Sequence, residues 1–461
     1  MMEAKKRMQL ANEQATYLPT ARELADGSAR ASARLSFSPY WWEAVSREAE
    51  DGDSFLPRRC DVVVVGSGFT GLSGALTLLR NGRQVVVIER GRAGFGASTR
   101  NGGQIGSGNQ KFRVKKLIAI RGRKKAEEML REGTRMLDHI AALISQEKIE
   151  CHFRRCGRFR AAVRSEHYEA MAQDMRDLKD IAGVESSMVP RSEQSAEIDT
   201  DCFFGGSLLP NDASLHPALY HAGLLDRIKA AGGKVLAYTP ARHITRAGPD
   251  FQVATNRGVI VAKDVVIATN GYTDGLVPEL GRRIVPIGSA LIATDELPAT
   301  LFDRLLPRNR VYGNTNRVFF YFRGAPDARR IIWGGRVGRL VPAQSLAAVR
   351  HLAGDMLHVF PDLKDIAITH AWDGQIGYTY DEVPHIGCTR DGIHYALGYC
   401  GTGVSRATYF GTKIALKVLD KPEGRTSFDD LTFPAYPAHP VAKHAVPFVE
   451  TWYRIRDAAN F

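Results

Sequence analysis

The rhythm of apolar and polar positions changes at residue 60. Residues 1–58 are polar apart from the aromatic knot in "SFSPYWWEAV" (36–45). Tyr40, Trp41 and Trp42 are too apolar to be left in water, so this N-terminal arm is expected to pack onto the body. From Cys60 the texture is different. "CDVVVVG" (60–66) is a β-branched run, apolar through its middle, as in a strand buried on both faces of a parallel sheet. "TGLSGALTLLRNG" (70–82) puts Leu72, Ala75, Leu76 and Leu79 on one helical side, with Gly82 to stop it. "QVVVIER" (84–90) is a second buried strand, and strand, tight turn, helix and strand in thirty residues make a βαβ unit. "DVVIATNGYT" (264–273) reads as another buried strand. "GIHYALGYCGTGVSRATYFGTKIALKVLD" (392–420) reads as a strand, a glycine turn and a long helix from about Val404. "RIVPIGSALIATDEL" (283–297), "RVFFYFR" (317–323) and "RRIIWGGRV" (329–337) have strand texture, the last two joined by the turn-like "GAPDA". The pattern as a whole is α/β.

The first βα turn, Gly66-Ser67-Gly68-Phe69-Thr70-Gly71, is the G-x-G-x-x-G pattern. Gly66 permits the sharp turn, Gly68 lets a pyrophosphate approach the backbone, and Gly71 lets the helix sit on the strand. The helix N-terminus then offers unpaired N–H groups to phosphate. Glu89 ends the second strand eighteen residues after Gly71, placed to accept from ribose hydroxyls, with Arg90 next to it. An acid there repels a 2′-phosphate, which argues against NADP and leaves FAD or NAD. The stretch "GFGASTRNGGQIGSGNQK" (94–111) separates the two. FAD is longer and ends in a broad tricyclic ring, so a second glycine-rich and amide-rich segment should follow it. Gly96, Ala97, Gly102 and Gly103 would let the ring approach, while backbone N–H groups and the side chains of Ser98, Asn101 and Gln104 would meet its polar edge. Ala268, Thr269, Asn270 and Gly271 are small residues at a strand's carboxyl end, where a cofactor is met. Gly398, Tyr399, Gly401, Thr402, Gly403 and Val404 form the last turn and helix start, which would stabilise negative charge on a reduced ring. Ala241 completes the expected cofactor contacts.

Composition adds bounds. At 461 residues the chain can hold two domains, or one large core with a subdomain. Its 44% hydrophobic and 24% charged residues are values of a soluble globular protein. No apolar run is long enough for a membrane span, and the start lacks the pattern of a secretory leader, which together favour a cytoplasmic protein. Six cysteines without paired spacing read as reduced thiols, and no metal is expected. Much of the net charge of +12 comes from "KFRVKKLIAIRGRKKAEEMLREGTR" (111–135), read as a solvated helix face. No aromatic-studded RNA-binding signature accompanies it, so no nucleic-acid partner is expected.

These residues carry a family resemblance. "VVVVGSGFTGLSGALTLLRNG", "GFGASTRNGGQIGSG", "ATNGYT", "WDGQIGYTYDEVPHIG" (372–387) and "ALGYCGTGVSRATYFGTKIA" resemble FAD-dependent oxidoreductases of the D-amino-acid oxidase superfamily, within it most of all the bacterial gamma-glutamylputrescine oxidase group. The likeness runs from about Tyr40 to Asp420 and implies a glutathione-reductase-like FAD fold. A discontinuous Rossmann-like FAD-binding domain would comprise 59–110, 215–275 and 370–425. A helical segment and a mostly antiparallel-sheet substrate domain would comprise 111–214 and 276–369, with 426–461 as a tail.

The resemblance also implies hydride transfer from the carbon beside an amine, hydrolysis of the resulting imine, and reoxidation by O2 or another electron acceptor. In amino-acid-oxidising relatives an arginine grips the substrate carboxylate; Ile376 stands at that place here. Sarcosine oxidases attach their flavin through a cysteine where this chain has Gly374, so the FAD is expected to be non-covalent, with Cys400 a packing residue. Expected substrate contacts are Gln375 and Tyr378, Tyr321 and Arg323, and Trp333 and Arg336; an aromatic wall suits an amine, and an arginine suits a distal carboxylate. His152 is expected to be a packed strand histidine. Alternatives are dehydrogenation of taurine or another aminosulfonate, demethylation of an N-methyl amino acid, a flavin-dependent RNA-modifying enzyme, or a flavin subunit that needs a partner. The sequence leaves a homo-oligomer open.

Overall fold

The computed structural model describes residues 17–30, 34–46, 55–107, 112–336 and 346–437, with 439, 448, 451–453 and 455–456. The chain start, where no leader is expected, and the end of the glycine-rich stretch (108–111) lie outside the described residues.

Two eight-stranded sheets organise the molecule. Five strands of the first run parallel, in the spatial order Lys234–Leu236, Val85–Ile88, Arg59–Val65, Gly258–Ile267 and His394–Leu397. Val62, Val63 and Val64 are buried on both faces, which is why the run is apolar without alternation. His385–Cys388 closes one edge antiparallel, and Ala241–Ala247 with Asp250–Thr255 extends the sheet as an antiparallel ribbon. All five parallel strands point their carboxyl ends the same way, so Gly66, Glu89, Tyr238, Ala268 and Gly398 emerge at one rim.

Beneath this rim two helices cross in contact, Phe69–Arg80 and Gly403–Val418. A Cβ on Gly74 would lie 3.0 Å from Gly411 O, and one on Gly411 would lie 2.3 Å from Thr70 O. Ser73 Oγ donates to Thr408 O across the crossing at 3.0 Å. Backbone-close packing sets both helix N-termini at the same rim.

The second sheet runs Ile368–Tyr378, Val285–Thr294, Ile331–Arg336, Phe320–Gly324, Val311–Asn314, Arg158–Ala161, Gly206–Leu209, Ser187–Val189. It is antiparallel throughout, save that Val311–Asn314 and Arg158–Ala161 run parallel. Side-chain alternation sorts its faces. Phe320, Phe322 and Trp333 pack with Phe360, Met356 of the Leu346–Val359 helix and Leu24 of the Ala21–Asp26 helix. Tyr321 and Leu291 turn to the other face, toward the rim. Residues 370–378, expected in the FAD domain, belong to this sheet, and the chain rejoins the first sheet only at His385; we propose a boundary near residue 380.

In the basic segment, helices Val114–Arg121 and Arg123–Gln146 expose most of their Lys and Arg residues. His152 is not a packed strand histidine: it is exposed, outside any strand, with φ of 51°. That left-handed backbone cannot join a ladder. All six cysteines are free thiols. Among the described residues no helix is long and apolar enough to cross a membrane.

Candidate active site

A cavity of about 960 Å³ lies between the rim of the first sheet and the inner face of the second. That is near the upper end of the range for ligand sites, about 300–1,000 Å³, so it has room for an extended ligand. At one end Gly66 (φ 106°) makes the turn, and a Cβ on Gly71 would stand 1.9 Å from Gly66 O. Gly68, Phe69, Thr70, Glu89 and Arg90 line this end. Ser67 and Gly71 do not; Ser67 works from beneath. Its N–H and hydroxyl both donate to Glu89 Oε2 at 2.9 Å, and Gly91 N–H donates to Oε1 at 3.3 Å, which together orient the carboxylate. His221 Nε2 lies 2.7 Å from Ser67 O. Burial drives the His221 pKa down to about 4, so the ring is neutral and donates this bond.

The glycine-rich loop is held by three indoles. Trp41 Nε1 donates to Asn101 O, Trp372 Nε1 to Arg100 O and Trp42 Nε1 to Thr99 Oγ1, each at 2.8 Å. The aromatic knot of the N-terminal arm is thus a clamp on this loop, a role its sequence did not announce. Ser98 Oγ accepts from Phe69 N–H at 2.9 Å, Asn101 Oδ1 from Gly103 N–H at 2.8 Å, and Gln104 Oε1 from Arg158 Nη1 at 2.7 Å. These three side chains line the cavity, and each makes hydrogen bonds to the protein that fix the loop's shape. Gly96, Ala97 and Gly102 line the cavity; Gly103 lies behind it.

Ala241, Ala268, Thr269 and Asn270 line the cavity, whereas Gly271 and Gly398 serve packing. A Cβ on Gly271 would meet Gln375 O at 2.7 Å, and one on Gly398 would meet Thr379 Cγ2 at 2.2 Å. Tyr399, Gly401, Thr402, Gly403 and Val404 form the opposite wall. Cys400 is buried, has φ of 52°, and its Sγ lies 3.2 Å from Gly398 O.

Gly403 tests whether a flat cofactor fits. Apart from its chain neighbours and its own helix backbone, no atom of the described residues lies within 4 Å of where its Cβ would stand, so packing between elements does not demand glycine there. A ligand resting on the helix N-terminus would, and the dipole there suits the electron-rich edge of a flavin. The Phe69–Arg80 helix N-terminus suits a pyrophosphate and Glu89 suits ribose hydroxyls. The donor set matches FAD.

The second sheet roofs the cavity with Tyr321, Leu291, Ser289, Gln375, Ile376, Tyr378 and Arg336. Tyr321 fits because its neighbours lack side chains: Cβ atoms on Gly102 and Gly334 would lie 2.8 and 2.5 Å from its ring. Arg336 hydrogen-bonds Tyr378 and lies 5.2 Å over its ring. Two expected substrate contacts are absent from the cavity wall. Arg323 is buried and donates to Gly103 O, Leu215 O and Gly324 O at 2.9 Å; it anchors backbone. Trp333 pairs with Phe322, stacks on it at 4.5 Å, and so faces the core. Sequence reasoning passed over Tyr272, Phe319, Arg158 and Arg160, all of which line the cavity.

Comparison with known proteins agrees with this geometry. The chain is 30% identical over 405 residues to the gamma-glutamylputrescine oxidoreductase of Escherichia coli K12, covering 86% of this chain and 93% of that protein. It is 21% identical to the glycine oxidase of Geobacillus kaustophilus over 81% of this chain and 96% of that one. The crystal structure of glycine oxidase from that organism superposes with a TM-score of 0.70 at 20% identity, over 82% of this chain and 99% of that one. L-proline dehydrogenase from P. horikoshii superposes with a TM-score of 0.66 at 21% identity, over 81% and 96%. The family model for FAD-dependent oxidoreductases (DAO) matches residues 61–415, so this chain belongs to that family and is an FAD-dependent oxidoreductase.

Proposed function

We propose that the chain oxidises a C–N bond of an amine related to gamma-glutamylputrescine, in the cytoplasm, with FAD held non-covalently. The observation that carries this reading is Ile376. It lines the cavity at the place where the family resemblance puts a carboxylate-gripping arginine in amino-acid oxidases, and an aliphatic side chain has no donor for an α-carboxylate. The similarity to gamma-glutamylputrescine oxidoreductase over most of both chains supports the same class.

Bound FAD supplies the hydride acceptor; the imine product hydrolyses to a carbonyl compound. The protein's part is placement. Tyr321, in the space left by Gly102 and Gly334, forms one wall. Leu291 and Ile376 keep the surroundings of the reacting carbon apolar, which favours the neutral amine and excludes water. Tyr378, braced by Arg336, offers a second aromatic face.

Anaerobic bleaching of the flavin by gamma-glutamylputrescine, putrescine, taurine, sarcosine, glycine and D-alanine tests the assignment. Gamma-glutamylputrescine should bleach fastest, and the sample should release its colour on acid precipitation. Fastest bleaching by glycine or D-alanine would sink the reading of Ile376.

A further inference from the structure

Strand register carries one row of side chains across the cavity face of the second sheet. Leu291 pairs with Gly334, Gly334 with Tyr321, Tyr321 with Gly313, Gly313 with Arg160, and Arg160 with Ser207. Residues directly paired share a face. The row is therefore aromatic and aliphatic at the Tyr321 end, vacant at Gly313, and cationic at Arg160. At Gly313 a Cβ would meet, among the described residues, only Phe320 O, at 3.8 Å, so these residues leave this position open.

Arg158 and Arg160 both line the cavity, but they differ in their partners. Arg158 is held by Asp212 and by Gln104 at 2.7 Å each. The Arg160 guanidinium donates no hydrogen bond and forms no ion pair among the described residues; burial works against its charge, and Asp174 is the opposite charge that most supports it. Beyond Arg160 the cavity adjoins a pocket of about 180 Å³, where Ser207 Oγ is buried without a partner. A sheltered guanidinium with unused donors and an orphaned hydroxyl opposite it are complementary to an anion.

We infer that Arg160 and Ser207 form a subsite for a carboxylate at the end of the substrate remote from the oxidised C–N bond, reached through the gap at Gly313. The inference deepens the amine-oxidation reading and rests on it for the chemistry, though the subsite itself is a statement about binding. Arg160 lies two strand spacings from Tyr321, roughly 10 Å. That separation is far beyond the amine-to-carboxylate distance of an α-amino acid, so the ligand class is a long amine with an acidic far end. Notably, neither Arg323 nor Arg336 is needed for this contact.

Calorimetric titration of the dithionite-reduced holoenzyme under anaerobic conditions reads binding without turnover. Gamma-glutamylputrescine should bind at least tenfold more tightly than its α-carboxamide, the scale of one charge-assisted contact. Arg160→Ala should erase that difference. Gly313→Val, which has room to fold but fills the gap, should erase it too; Arg160→Lys should keep part of it. Equal affinity of acid and amide in the unaltered enzyme, or a preference that survives both Arg160→Ala and Gly313→Val, overturns the subsite. Preferential binding of the acid without bleaching of oxidised flavin would leave the subsite standing and remove the oxidation reading instead.

Discussion

A buried cation is costly unless its donors are used, and Arg323 uses them on backbone. Its bond to Gly103 O fixes the end of the cofactor loop, and its bond to Leu215 O fixes the entry to the Pro217–Ala230 helix. Burial lowers its pKa to about 10, still far above neutrality, so it remains charged. Arg323→Leu would take the guanidinium donor from Leu215 O and leave Gly103 O with Leu215 N–H alone, and should cost about 2–4 kcal/mol of stability, with weaker FAD retention. The ratios of kcat/KM among amines should not change, because the side chain is outside the cavity. Thermal melts, FAD release on dilution and competition between two amines check this; a changed ratio would restore Arg323 as a substrate contact. Residue type was a poor guide here. Tyr321 and Arg323 share a face by strand alternation, yet one reaches the cavity and the other the loop behind it. Trp333 faces away, and only the register of its hairpin with Phe322 decides that. Arg160 was passed over for the converse reason: its strand is four residues long and carries no motif.

The pairing of the Phe69–Arg80 and Gly403–Val418 helices sets the geometry of both cofactor-facing N-termini. The βαβ unit itself was legible, because its valine runs, glycine turn and terminal acid lie within thirty residues. The helix pairing was not. Gly74 and Gly411 read locally as weak helix positions, and nothing in a window of sequence shows that they face each other more than three hundred residues apart. Gly411→Ala measures how much this crossing matters. A Cβ there would lie 2.1 Å from Ser73 Oγ and 2.3 Å from Thr70 O, and the second is backbone that cannot rotate away. Overpacking of this kind costs about 1–3 kcal/mol. The helices should separate, the Phe69 and Gly403 ends should diverge, and FAD affinity should fall at least tenfold in a fluorescence titration. Ser73→Ala in the same chain should not restore it. Unchanged affinity with a lowered melting temperature would show that the crossing supports stability alone.

At the scale of the whole molecule the arm, the two sheets and the helices are tied by buried and half-buried imidazoles. His216 lies under Trp41 with ring centroids 5.0 Å apart, His221 holds Ser67 at the nucleotide turn, and His139 meets Tyr409 between two helices. Burial lowers each of the three to about 4. The unfolded chain, with ordinary imidazole values near 6.5, binds these protons when the folded chain does not. Their contribution to stability is therefore complete above about pH 6.5 and is lost as pH falls toward 4. At pH 5 each can cost up to about 2 kcal/mol, from 1.36 kcal/mol per pKa unit, with His216 discounted for the nearby Asp327. Asp174 and Asp212, pushed up by burial, oppose this trend in the carboxylate range. The melting temperature should be flat from pH 8 to 6.5 and fall steadily below it, with FAD released in step as the buried charge gained by His221 forces open the packing around the Ser67 turn. His221→Gln keeps an N–H donor for Ser67 O but does not titrate. It should flatten the release of FAD between pH 6.5 and 5 while leaving most of the fall in melting temperature, which His139 and His216 still supply. A melting temperature that does not change across this window would show that the three imidazoles gain protons in the fold as readily as in the open chain.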